Sequence, residues 1–281
     1  MNSDLFRKPV IALVVTLLLP ATLARSAALP ATAPALDPKL PTLWIVGDST
    51  VHNPNRGQCG WGDVIADRFD VSRINIVNRA RGGRSSRTFQ TEGMWDQVLA
   101  EAKRGDFVLI QFGHNDGGPL SGDNRERGSI RGTGDETKEV TLTLKPNEGK
   151  KEVVHTYGWY MGKYADDARA KGLVPIICTP IPRVPKERVT GPATQAGGYR
   201  AWATEVAQEK KVPLIDLEAL ILKRYLNLTP DQIKEKYFST ADNTHTSEPG
   251  ARLNAEAVTE GIKGLSDVPL RSFLKDASAR S

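Results

Sequence analysis

Cysteine and histidine are scarce in this 281-residue chain, with two copies of one and four of the other, and that scarcity removes whole classes of chemistry. No Cys or His falls at the short spacings that gather a metal ion, so neither a metal nor any other cofactor is expected. Cys59 and Cys178 are too few for a disulfide framework. Whether they form a single bridge stays open, because pairing depends on where the two side chains meet in space. A large excess of either charge is missing too: 38 Lys and Arg stand against 33 Asp and Glu, a formal net charge of +5. That excludes the dense basic surface of a nucleic-acid binder while leaving a weak attraction for acidic ligands.

Only one long apolar run exists, residues 9–23, and it follows Arg7 and Lys8 and precedes small residues at 26–28. This order is that of a cleaved secretory leader, and the run is short for a bilayer span. The expected organisation is therefore a signal peptide over 1–28, a Pro- and Ala-rich linker over 29–41, and one folded domain over 42–281. The mature protein is expected to be secreted or periplasmic, monomeric and free of the membrane.

Within the domain, short unbroken apolar runs at 43–46, 74–77, 107–111, 174–178 and 213–215 alternate with helical candidates at 61–69, 92–103, 156–171, 198–210 and 250–263. Continuous rather than alternating apolarity marks strands buried on both faces of a parallel sheet. The expectation is an α/β fold: a three-layer α/β/α sandwich around a five-stranded parallel sheet, flavodoxin-like in class. Residues 117–152 are polar and too long for an ordinary βα connection. Alternation over 139–144, a turn at 146–149 and an extended stretch after it predict a β-hairpin flap within an insertion at about 117–155.

In such sheets the working residues gather at the carboxyl ends of the strands. Ser49 follows the first run in Gly47-Asp48-Ser49-Thr50, where Gly47 permits a tight turn. Asn115 follows the third in Gly113-His114-Asn115-Asp116 and carries a neutral amide donor suited to an oxyanion. Asp242 and His245 stand three apart before the last helix, so a carboxylate can orient an imidazole across a single turn. Gly82 and Gly83 follow the second run, where a backbone N–H can face a ligand closely. Each piece alone has an ordinary explanation as a turn or a cap.

Together and in this order the pieces resemble the SGNH (GDSL-type) hydrolases, from residue 43 to 262. The closest likeness within the family is to rhamnogalacturonan acetylesterases, carried by 46–51, 60–62, 83–86, 92–95, 112–116 and 244–247. The resemblance implies Ser49 as nucleophile, with Asp242 and His245 completing a catalytic triad. It implies an oxyanion hole of the Ser49 and Gly83 N–H groups and the Asn115 amide. It also implies removal of acetyl esters from an acidic pectin-type polysaccharide, although an insertion overhanging the site puts the substrate in doubt.

Arg84 is a candidate partner for a sugar carboxylate, against the alternative of a surface salt bridge. Trp61, Trp95 and His155 are candidate sugar contacts, although a Trp on an apolar helical face is more often core. Two other readings remain: an esterase of the same fold acting on acetylated xylan, a lipid or a small acyl ester, and a carbohydrate-binding protein without hydrolytic activity.

Overall fold

The computed structural model of the protein describes residues 36–122, 125–191 and 197–275. The expected leader and most of the linker lie outside these residues. Five parallel strands form the central sheet: β1 (Thr42–Gly47), β2 (Asn75–Asn78), β3 (Phe107–Gln111), β6 (Val174–Cys178) and β7 (Leu214–Ile215). Their order is β2-β1-β3-β6-β7, so the chain reverses direction across the sheet between β1 and β3. That reversal opens a crevice at the carboxyl ends of β1 and β3, the place where doubly wound folds bind ligands.

The apolar runs are continuous because both faces of each strand are covered. Leu43, Ile45, Leu109 and Ile176 enter one core with α1 (Trp61–Val64), α6 (Leu217–Arg224), α7 (Pro230–Tyr237) and α8 (Glu248–Gly264). Trp44, Val46, Val108 and Ile177 enter a second core on the opposite face. Side chains of α2 (Ser86–Thr91), α3 (Met94–Glu101), α4 (Tyr157–Lys171) and α5 (Tyr199–Glu209) complete it. This is the three-layer sandwich that the alternation of patterns predicts.

Local signals set the helix ends. Thr156 caps α4 by accepting from the Trp159 N–H, and Gly172 stops it in the left-handed conformation. The expected helix at 61–69 is instead α1 followed by a 3-10 turn over Ile65–Arg68. Helices α2, α6 and α7 were not anticipated. α2 has only six residues, and α7 buries only Ile233, so neither leaves a strong apolar period.

The insertion does contain an antiparallel hairpin, β4 (Lys138–Thr141) and β5 (Lys151–Val154). It has its own small core of Val140, Leu142 and Val154, backed by Leu120 and Ile130. Buried Arg87 from α2 pairs with Glu152 at 2.7 Å and donates to the carbonyls of Leu120 and Gly128, both at 2.9 Å. Asp116 ties the same region down, accepting from the Ser86 N–H at 3.1 Å and the Ser129 hydroxyl at 3.1 Å. Burial pushes its carboxyl up to about 7 despite these bonds. No helix among the described residues is long and apolar enough to cross a membrane.

Both cysteines are free thiols, which closes the question that the sequence leaves open. Cys178 is buried on β6, and burial pushes its thiol up to about 12. Cys59 is raised to about 11 by burial and by the carboxylates of Asp63 and Glu248. High pKa values leave little thiolate at neutral pH. Thiol titration with a chromogenic disulfide at pH 8 is therefore expected to be slow for the native protein and to give two equivalents on unfolding. Full titration requiring a reductant would contradict the free-thiol state.

Candidate active site

The site grows from the end of β1. Gly47 has no room for a side chain: a Cβ there would lie 2.5 Å from Val51 Cγ2 and 2.7 Å from the Gln111 carbonyl. The chain therefore turns sharply, and Asp48 folds inward while Ser49 faces the crevice. Asp48 is fully buried and accepts from the Thr50 N–H at 2.8 Å and the Thr50 hydroxyl at 2.7 Å. Its other oxygen meets His114 Nδ1 at 3.3 Å, and His114 Nε2 lies 3.0 Å from the Ile181 carbonyl. Burial alone would raise the Asp48 pKa, but His114 and the Thr50 donors outweigh it and hold the carboxyl below its usual range.

The chain of polar contacts continues beneath the turn. Gln111 donates to the Thr50 hydroxyl at 2.7 Å and accepts from Trp61 Nε1 at 2.8 Å. Asp48, Thr50, Gln111 and Trp61 are buried, the His114 side chain is nearly so, and every one is paired, the condition under which a buried polar network rigidifies a structure.

Asp242 and His245 come from the loop between α7 and α8. Phe238 bridges to Thr246 and Ser239 N–H donates to the His245 carbonyl at 2.9 Å, so residues 238–246 form a closed loop. Inside it, Asp242 Oδ1 accepts the N–H groups of Thr244 at 2.7 Å and His245 at 2.8 Å. Its Oδ2 lies 2.7 Å from His245 Nδ1, and His245 Nε2 lies 2.8 Å from Ser49 Oγ. Burial alone would raise the Asp242 pKa, yet the bonds from the His245 ring and from the two N–H groups bring it down to about 2. An ionised carboxylate only accepts, so Nδ1 carries the hydrogen and the neutral ring presents the Nε2 lone pair to the serine hydroxyl. The arrangement can thus take a proton from Ser49 Oγ.

The loop is also fastened to the segment after the serine. Thr246 Oγ1 donates to the Cys59 carbonyl at 2.8 Å, and Cys59 N–H returns a bond to the Thr246 carbonyl at 2.9 Å. Gln58 reaches Asp242 Oδ2 at 3.4 Å.

Ser49, Gly83, Asn115 and His245 all line one cavity of about 530 Å³. Gly83 holds a φ of +80°, which only glycine adopts readily, and a Cβ added at the neighbouring Gly82 would lie 3.6 Å from the serine Cβ. Asn115 donates one amide hydrogen to the Arg84 carbonyl at 2.7 Å, which fixes the amide and leaves its second hydrogen for a ligand. The charge on the wall is cationic: Arg81, Arg125, Arg127 and Arg183 line it, with no acidic residue among the described lining residues. Sequence reading missed these arginines, which come from three loop segments far apart in the chain. It also missed His52, whose Nδ1 lies 2.5 Å from Asp63.

The candidate sugar contacts fare differently. Trp61 is fully buried and Trp95 is 1% exposed, so neither offers a face to a ligand. Trp95 instead packs edge-on against Tyr164 at 5.0 Å and donates to Asp167 at 3.0 Å. Both are corrected to core residues. Their indole N–H groups find buried or half-buried acceptors, which a sequence does not reveal. His155 stacks on Trp159 at 3.8 Å and lies outside the residues lining the cavity. Arg84 pairs with Glu92 at 2.7 Å and also lies outside that lining, so the salt-bridge alternative describes it in this site. No residue of the hairpin strands lines the cavity with Ser49; among the described residues of the insertion, Arg125 and Arg127 reach its wall.

Residues 45–253 match the model of the GDSL-like lipase/acylhydrolase family. A rhamnogalacturonan acetylesterase of Emericella nidulans is 34% identical over 221 residues, covering 79% of this chain and 84% of its own. One of Bacillus subtilis is 30% identical over 247 residues, covering 83% and 93%. Among solved structures, the Bacillus subtilis protein YxiM superposes with a TM-score of 0.63 at 24% identity. That match covers 82% of this chain but only 58% of YxiM, and it bears on the fold alone.

Two outcomes follow. Trp95→Ala is expected to lower stability by about 3–5 kcal/mol, as for other buried Trp truncations, with ligand affinity of the folded fraction unchanged; denaturant melts beside binding measurements check this. A folded-state pKa of about 2 for Asp242, below the ordinary 3.8, means that its ionisation stabilises the fold above about pH 4 and ceases to do so as pH falls through 2. The melting-temperature gap between wild type and Asp242→Asn should accordingly be widest above pH 4 and narrow towards pH 2; a gap constant with pH would contradict it.

Proposed function

The chain belongs to the GDSL-like lipase/acylhydrolase family, and we propose that it is a secreted carbohydrate esterase that removes acetyl groups from rhamnogalacturonan. The observation that carries the reading is the contact of Ser49 Oγ with His245 Nε2 at 2.8 Å, backed by Asp242 at 2.7 Å, on the wall of a cation-lined cavity. The two acetylesterase relatives support the reaction and the substrate class. The arginines favour an acidic chain over a neutral one or a lipid, because a guanidinium fork matches a carboxylate. The N-terminal pattern of charge, apolar run and small residues supports export.

The mechanism is two-step acyl transfer. Ser49 Oγ attacks the acetyl carbonyl as its proton passes to His245 Nε2, and Asp242 stabilises the charged ring that results. Negative charge developing on the carbonyl oxygen meets the N–H groups of Ser49 and Gly83 and the spare amide hydrogen of Asn115. The His245 ring then returns the proton to the departing sugar hydroxyl, leaving acetyl-serine. Water, deprotonated by the same ring, attacks that ester; acetate leaves and Ser49 recovers its proton. Each oxyanion donor is worth about a hundredfold or more in turnover.

Acetate release from acetylated rhamnogalacturonan, measured beside acetylated xylan and a small chromogenic acetate ester, tests the reading. Wild type is expected to prefer the acidic polymer, Ser49→Ala to lose all activity, and Asp242→Asn to lose about a thousandfold or more in kcat. Preference for xylan would discard the substrate, and activity surviving in Ser49→Ala would discard the mechanism.

A further inference from the structure

A second cavity, of about 740 Å³, lies between α2 and the hairpin of the insertion. Arg125 lines both this cavity and the one containing Ser49, so its side chain stands where the two meet. The cations on the second wall are Arg84, Arg87, Arg125, Lys145 and Lys150, against the carboxylates of Glu92, Glu126 and Glu152. Five against three leaves an excess of two positive charges.

The carboxylates are already engaged. Glu92 is taken by Arg84 at 2.7 Å and Glu152 by Arg87 at 2.7 Å. Glu126 accepts from Thr143 N–H at 2.6 Å, Thr143 hydroxyl at 2.7 Å and Leu144 N–H at 3.2 Å, fixing the strand end that carries Lys145. Arg125, Lys145 and Lys150 are exposed and make no ion pair with a described residue. Between them Leu142, Leu144 and Pro146 supply an apolar floor, and Asn147 a neutral amide. Apolar floor, amide and unpaired cations together match a pyranose ring, with its C–H face, hydroxyls and carboxylate.

We infer that this cavity is a second subsite of the same cleft, in which Arg125, Lys145 and Lys150 bind a uronate carboxylate of the polysaccharide chain beyond the sugar being deacetylated. The inference rests on the acidic-polysaccharide reading above and adds the segment that recognises the polymer. It assigns the insertion a binding role: the hairpin extends the cleft sideways instead of closing over Ser49. The platform is prebuilt, since its small core and the Arg87 and Asp116 anchors hold it without a ligand. Such preorganisation lowers the ordering cost of binding.

The test uses Lys145→Glu/Lys150→Glu beside a remote double reversal of the same charge, Lys223→Glu/Lys263→Glu. On acetylated rhamnogalacturonan the hairpin variant is expected to raise KM about fivefold or more, with a weaker dependence on salt. Its kcat, and its kcat/KM on the small acetate ester, should match the remote control. A parallel arm measures binding of an unacetylated galacturonate oligomer to Ser49→Ala, with and without the hairpin reversal, by calorimetry. If wild type deacetylates rhamnogalacturonan but the reversal changes neither KM nor oligomer binding, the subsite is overturned and the substrate reading stands. If wild type acts only on xylan, the substrate reading fails, and the oligomer arm still decides: binding lost on reversal supports the subsite, and no binding to Ser49→Ala overturns it.

Discussion

The buried carboxylate of Asp48 is the constraint on which the rest of the site depends. A charge with no access to water must be met by donors, and here Thr50 and His114 meet it from both sides. Removing one partner from such a group leaves an uncompensated charge, which is strongly destabilising. The turn therefore has one acceptable conformation, in which Asp48 points inward. The neighbouring side chain, Ser49, then stands in the crevice between β1 and β3. Position of the Ser49 hydroxyl is thus a by-product of solvation physics at the adjacent residue.

A second layer of constraint joins segments far apart in the chain. Cys59 and Thr246 exchange two hydrogen bonds, and Gln58 reaches Asp242, so the loop carrying Asp242 and His245 is tied to the segment that follows Ser49. The contacts are short and neutral apart from the last, and they resist salt better than surface ion pairs would. Lys234 adds its ammonium to the carbonyls of Ser239 and Asp242, holding the closed loop from below. The 2.8 Å contact between Ser49 and His245 spans 196 residues of sequence, and these ties explain why it is made.

What was legible in the sequence follows from what leaves a local mark. The parallel sheet was readable because burial on both faces erases the polar alternation of a strand, as in 107–111 and 174–178. Ser49, Asn115, Asp242 and His245 were readable because each sits in a short turn whose residue types recur together. The hairpin was readable from alternation around a turn. For Trp61 and Trp95 the choice between sugar contact and core stays open in the sequence, because their exposure depends on whether Gln111 and Asp167 lie in reach, which only the fold decides. The cationic wall was invisible for the opposite reason: Arg81, the Arg125 and Arg127 pair, and Arg183 stand far apart in sequence and converge only after the sheet has brought their three loops to one edge.

The hairpin keeps a small apolar core apart from the two that flank the sheet, and it joins the domain chiefly through Arg87 and Asp116. Substitutions on its outer turn, at Lys145, Asn147 or Lys150, touch neither large core nor the network beneath the serine. Mutational effects there are expected to be nearly independent of those at the reactive centre. Such separation lets selection vary the glycan that a lineage attacks while the ester chemistry stays constant, so the insertion is where divergence among relatives should accumulate fastest.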